Sequence, residues 1–182
     1  MKDRDFLGEG KFTGRDITIR KALEEALKSD ERKTVLGKIS LYLSGIQMNN
    51  PRDMNRFRKR TASEVILSKR SNGCSDYAIV CAALAREAGI PAAYVEALEE
   101  KNLLTCSDDV SGHAFLDMFT DGRWRIYEPH EGFKEEYSIN GRLYIPVGRG
   151  LDFSELFFGD KRFSLLSVDD IKTLRDRLNR DL

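Results

Sequence analysis

The 182-residue chain is sparing with the residues that advertise a specialised class. It has three cysteines, Cys74, Cys81 and Cys106, and two histidines, His113 and His130. Three scattered cysteines are too few for a disulfide framework. They form no Cys-x-x-Cys pair, and neither histidine has a partner at helical spacing, so the close ligand pairs of a structural zinc site are missing. Charge of one sign is missing too, because 30 Lys and Arg balance 30 Asp and Glu. A balanced chain lacks the broad positive field of a polyanion binder, which argues against a nucleic-acid partner. No apolar run approaches the roughly 20 residues of a membrane helix, and Met1 to Gly8 has no apolar stretch of signal-peptide length. These absences lead us to expect a soluble, cytoplasmic protein with free thiols, no membrane partner, no metal and no cofactor. The oligomeric state is left open.

What is present reads as a single domain over residues 1–182, with helices first and strands later, the pattern of an α+β fold with an antiparallel sheet. The first dozen residues read as a loose arm. N-terminal helices are expected within residues 16–60. Ile19, Ala22, Leu23, Ala26 and Leu27 recur at helical spacing, and a second stripe from Val35 to Ile46 follows a start near Glu31. Residues 47–60 are polar and basic, with Arg52, Arg56, Arg58, Lys59 and Arg60, and read as a solvated loop or irregular helix. A short helix fits Ala62 to Lys69. Cys74, Tyr77, Ala78, Cys81, Ala82, Ala85 and Ala88 then share one helical face, closed by Gly89 and Pro91. From there the period becomes strand-like: Ala92–Leu98, His113–Phe119, and Trp124–Tyr127 after an Asp121-Gly122 turn. Asn140-Gly141 marks another hairpin, and Val168, Ile171, Leu174 and Leu178 predict a closing helix over residues 167–181.

One position in this pattern invites chemistry. Cys74 opens a helix directly after Asn72-Gly73. Free amides and the dipole at a helix N-terminus favour thiolate over thiol. Gly73 leaves room for a substrate backbone, and the Cys74 amide could serve an oxyanion. A nucleophile needs a base, and the base needs an orienting partner. His113 heads one strand and Glu128 ends the next. A hairpin closed at Asp121-Gly122 would bring an early residue of the first beside a late residue of the second. The carboxylate would then hold one ring nitrogen and leave the other for sulfur. Cys81 and Cys106 read as core or incidental, His130 as a loop residue near the site rim, and Tyr77, Phe115 and Trp124 as packing residues. Gln47, Asn49 and Asn50 are upstream candidates for a side-chain oxyanion donor.

These segments carry a resemblance. The run from Thr61 to Ala78 through Ser71-Asn-Gly-Cys, the Gly89-Ile-Pro-Ala-Ala-Tyr-Val segment, Gly112-His-Ala-Phe, and Trp124 to Pro129 resemble, in order, the conserved core of the transglutaminase-like (papain-related) superfamily. The resemblance spans roughly residues 61–131. It implies a transglutaminase-like, cysteine-proteinase-like fold with helices packed on an antiparallel sheet. It also implies a triad of Cys74 as nucleophile, His113 as base and Glu128 as acid. Glu128 departs from the Asp usual in that family, and Asp117 is a possible sharer of the role. The implied activity is thiol-dependent acyl transfer on a peptide or protein amide, hydrolytic in preference to amine transfer. The alternative is a weakly active or inactive binding module on the same fold.

Overall fold

A computed structural model of the chain describes residues 6–51, 53, 55–101, 111–158 and 161–162. The expected helix over 167–181 and Cys106 lie outside the described residues. Helix α1 (Ile17–Leu27) starts at Asp16, whose carboxylate accepts from the amides of Thr18 and Ile19. Helix α2 (Val35–Ser44) begins four residues later than Glu31, because Thr34 supplies the cap by accepting from Gly37 N. A two-residue strand β1 (Gln47–Met48) follows. Helix α3 (Ala62–Ser68) opens on a reciprocal capping box between Thr61 and Glu64. Strand β2 (Arg70–Ser71) pairs in parallel with β1 and delivers the chain to helix α4 (Cys74–Glu87).

The rest is sheet. Strands β3 (Ala92–Glu99), β4 (Gly112–Thr120), β5 (Arg123–Glu128), β6 (Gly132–Lys134), β7 (Ser138–Ile139) and β8 (Arg142–Gly150) form one six-stranded antiparallel sheet in the order β6-β5-β4-β3-β8-β7. Both two-residue hairpins form as expected. Asp121-Gly122 and Asn140-Gly141 take positive φ at both positions (54° and 75°, 50° and 74°), the geometry whose twist suits flanking strands. A short 3-10 turn (Phe153–Glu155) and a small β9–β10 ladder (Phe157–Phe158, Lys161–Arg162) follow.

Helix α4 differs from its sequence expectation. The apolar spacing predicts one buried face, but every residue from Ser75 to Arg86 is buried. Helices α1, α2 and α3 pack on one side of it and strands β3 and β4 on the other. Ala114, Leu116, Met118 and Tyr127 from the sheet join it in the main core, while Val95, Ala97, Phe115 and Tyr144 pack together on the opposite face of the sheet. A helix enclosed on all sides must satisfy its polar side chains internally. At its C-terminal end, Arg86 donates to Ala92 O (2.9 and 2.5 Å), Leu151 O (2.7 Å) and Thr13 Oγ1 (2.7 Å). At its first turn, Asp76 accepts from Arg60 Nη2 (2.6 Å) and Asn72 N (2.8 Å).

The N-terminal arm is also tighter than expected. Phe6, Phe12 and Thr13 are buried, Phe12 N donates to Asp152 Oδ2 at 2.7 Å, and Ala62 N donates to Phe12 O at 2.8 Å. The arm therefore closes over the end of the sheet. Among the described residues no helix is long and apolar enough to cross a membrane. Substitution Arg86→Ala would strip donors from two buried carbonyls and open a cavity, so a loss on the order of 3 kcal/mol is expected. Urea unfolding followed by circular dichroism measures it, and an unchanged midpoint would contradict the assigned role.

Candidate active site

Gly73 and Cys74 set the geometry. Gly73 caps α4 with φ 148°, a conformation that side-chain-bearing residues rarely adopt. The turn presents Cys74 as the first helical residue, with an amide that has no partner inside the helix. Cys74 is partly exposed, whereas Cys81 is sealed in the core. Burial pushes the Cys81 thiol far up, so it stays protonated and inert.

His113 comes from the second residue of β4. Its ring rests against Phe115 (4.7 Å between centroids) and Tyr144 (5.7 Å), which limit its rotation. Nε2 lies 3.3 Å from Glu128 Oε1, and the ring is near enough to the Cys74 sulfur for the two to interact. Glu128 is 2% exposed and fully engaged. Its other oxygen accepts from His130 N (2.7 Å) and Glu131 N (2.8 Å), so the turn after β5 grips the carboxylate. The structure thus brings Cys74, His113 and Glu128 together, with His113 hydrogen-bonded to Glu128 and interacting with Cys74.

The strand register explains the acid's length. The last paired residues of β4 and β5 are Leu116 and Tyr127. Continued one step, that register sets Glu128 opposite Phe115, on a diagonal to His113 rather than across from it. Diagonal neighbours are about 7–8 Å apart, and a glutamate spans more of that gap than an aspartate. Asp117 does not share the role. Its carboxylate accepts from Tyr137 Oη (2.8 Å) and pairs with Arg149 (2.9 Å), and the Arg149 guanidinium stacks on Trp124. His130 is an exposed residue whose ring meets Tyr77 edge-on at 4.2 Å, at the rim as expected.

Charge in this chain runs one way. Burial would raise the Cys74 thiol, but the His113 hydrogen bond and charge, helped by the Ala114 amide and opposed by Glu96, bring it below the usual thiol range. Burial alone would lower His113. Hydrogen bonds to Cys74 and Glu128 and their charges raise it to about 9 instead. Glu128 is likewise pushed up by burial and brought below its ordinary value by His113 and the two amides. The three shifts all move the balance towards thiolate beside imidazolium beside carboxylate.

The basic segment yields a correction. Arg58 and Arg60 do not belong to a solvated face. Arg58, at φ 54°, pairs through Nη2 with Glu96 Oε1 and through Nε with Ser75 Oγ (3.3 Å); Glu96, 1% exposed, also accepts from Tyr94 Oη (2.9 Å). Gly112 is packed against this group, since a Cβ there would lie 3.3 Å from Glu96 Oε1. Of the upstream amides, Asn49 spends its Nδ2 on Asn72 Oδ1 (2.7 Å), while Gln47 and Asn50 are exposed. Sequence patterning missed the Arg58–Glu96 pair because its halves lie on different elements. The one available signal was a lone acid, Glu96, inside an otherwise apolar strand. Among the described residues no group of three or more His, Cys, Asp or Glu is disposed to hold a metal ion.

The transglutaminase-like superfamily model matches residues 21–129, a span that includes Cys74, His113 and Glu128. The chain belongs to that superfamily. This transglutaminase-like chain also resembles a solved protein from Cytophaga hutchinsonii described as a proposed cysteine protease, with a TM-score of 0.57 and 19% identity. The likeness covers 82% of this chain and 47% of that one, so the present chain spans about half its length. No protein of curated function matches.

The electrostatic coupling can be measured directly. In Cys74→Ala the imidazole loses its anionic partner, so the His113 titration followed by NMR should fall from about 9 by about one pH unit or more. A midpoint that stays put would mean the thiol does not hold the ring charged.

Proposed function

We propose that the chain is a cysteine hydrolase that cleaves a peptide or protein amide through Cys74, His113 and Glu128. The observation that supports this most is the gathering of a partly accessible sulfur, the His113 imidazole and the buried Glu128 carboxylate, with His113 Nε2 3.3 Å from Glu128 Oε1. In this reading the Cys74 thiolate attacks the amide carbonyl carbon, a C–S bond forms, and the carbonyl electrons move to oxygen. Collapse breaks the C–N bond as the His113 imidazolium gives its proton to the leaving amine. The neutral imidazole then takes a proton from water, which attacks the thioester and restores the thiolate. Glu128 keeps the ring in one orientation throughout. Water is preferred as acceptor over an amine. The likeness to the Cytophaga protein agrees with this reading. The same reading places the enzyme in the cytoplasm, whose reducing poise keeps a catalytic thiol free.

Two measurements test it. In folded protein at pH 6, iodoacetamide should alkylate Cys74 faster than it alkylates free cysteine and leave Cys81 untouched, as read by mass spectrometry; equal labelling of the two would remove the case for an activated sulfur. Turnover of an amide substrate should fall by on the order of 10⁴-fold or more in Cys74→Ala. Its pH profile should lose rate as His113 deprotonates through about 9, and again at low pH as the thiolate is protonated.

A further inference from the structure

The proposed hydrolysis needs something to receive the charge that leaves the thiolate, and a chemistry-bearing group beside Cys74 has no part in the triad. Arg58 is held in place by two contacts: Nη2 pairs with the buried Glu96, and Nε donates to Ser75 Oγ, on the residue that follows the nucleophile. Glu96 sits across the β3–β4 ladder from Ala114, and its neighbour Ala97 sits across from His113. The guanidinium is thus lodged between the first turn of α4 and the strands that carry the base. It lies close enough to Cys74 for their charges to interact. Its side chain is 14% exposed. The third nitrogen, Nη1, has no acceptor among the described residues and is not one of the sealed, unpartnered atoms. Arg58 also takes φ 54°, in the left-handed region.

We propose that Arg58 is a catalytic residue of the acyl-transfer reaction, donating from Nη1 to the carbonyl oxygen of the acyl group as Cys74 attacks. The proposal rests on the thiol-hydrolase reading above. As the C–S bond forms, the π electrons of the carbonyl settle on oxygen. The Cys74 amide and Arg58 Nη1 both donate to that oxygen, and both are fixed before substrate arrives, so no reorganisation is needed at the moment of reaction. Glu96 neutralises the guanidinium, so Arg58 acts as an oriented donor and does not select acidic substrates. Collapse returns the electrons to the carbonyl and expels the leaving group.

Two reagents separate this role from a merely structural one. p-Nitrophenyl acetate acylates a thiolate through an oxyanion. Iodoacetamide alkylates the same thiolate by displacing iodide and forms no oxyanion. In Arg58→Met the Cys74 titration shifts with the lost charge, so both rates are read on their high-pH plateaus, where acylation of Cys74 should slow by about 10²-fold or more beyond any change in alkylation. Arg58→Lys keeps the charge but cannot hold Glu96 and also present a second fixed donor, so it should not rescue acylation. Because Arg58→Met leaves Glu96 buried and unpaired, Arg58→Met/Glu96→Gln is measured beside it, and circular dichroism selects the variant that folds. Acylation that persists, or acylation and alkylation that fall together, overturns the proposal. A wild-type protein whose Cys74 alkylates rapidly but never acylates instead overturns the hydrolase reading itself.

Discussion

Helix α4 has no solvent face, and the rest of the molecule is arranged around that fact. A helix enclosed between three others and a sheet cannot leave polar side chains to water, so each must be met by a partner from elsewhere in the chain. Arg60 meets Asp76 at one end, and the carbonyls of Ala92 and Leu151 meet Arg86 at the other. These contacts come from distant segments and fix the helix along its own axis. Cys74 stands at its first residue, so fixing the helix fixes the sulfur. His113 and Glu128 belong to the sheet against which α4 is clamped. The sulfur and the imidazole thus come from opposite sides of the junction between helix and sheet.

The electrostatics follow from the same enclosure. Each of the three groups pays for burial and would by itself be driven neutral. Together each favours the charged form of its neighbour, an attraction that the low local dielectric strengthens. Cys81 is the internal contrast. It lies two turns along the same helix, has no imidazole, and burial raises its thiol unopposed. Environment alone moves the two thiols in opposite directions.

Much of this was legible in the sequence. Helix-to-strand switching of the apolar period marked the α+β order, and the Asp-Gly and Asn-Gly turns marked the hairpins, because both are local signals. Cys74, His113 and Glu128 stood out as a set through a helix start, a strand head and a strand end joined by one short turn. What stayed hidden was long-range. The pairing of β8 with β3, the arm docked on Asp152, the all-round burial of α4 and the Arg58–Glu96 pair each join segments far apart in the chain. The basic run from Arg52 to Arg60 read as solvated because no local pattern distinguishes an arginine with a buried acidic partner from one without.

Gly112 carries a consequence of its own. A Cβ there would lie 3.3 Å from both the Ala97 carbonyl oxygen and the Glu96 carboxylate. Even an alanine there would press on that carboxylate or force the strand to yield just ahead of the imidazole. Tolerance to change at position 112 is therefore governed by an acid and a backbone carbonyl on the neighbouring strand. A mutational scan would score this site as intolerant although it contributes no functional group.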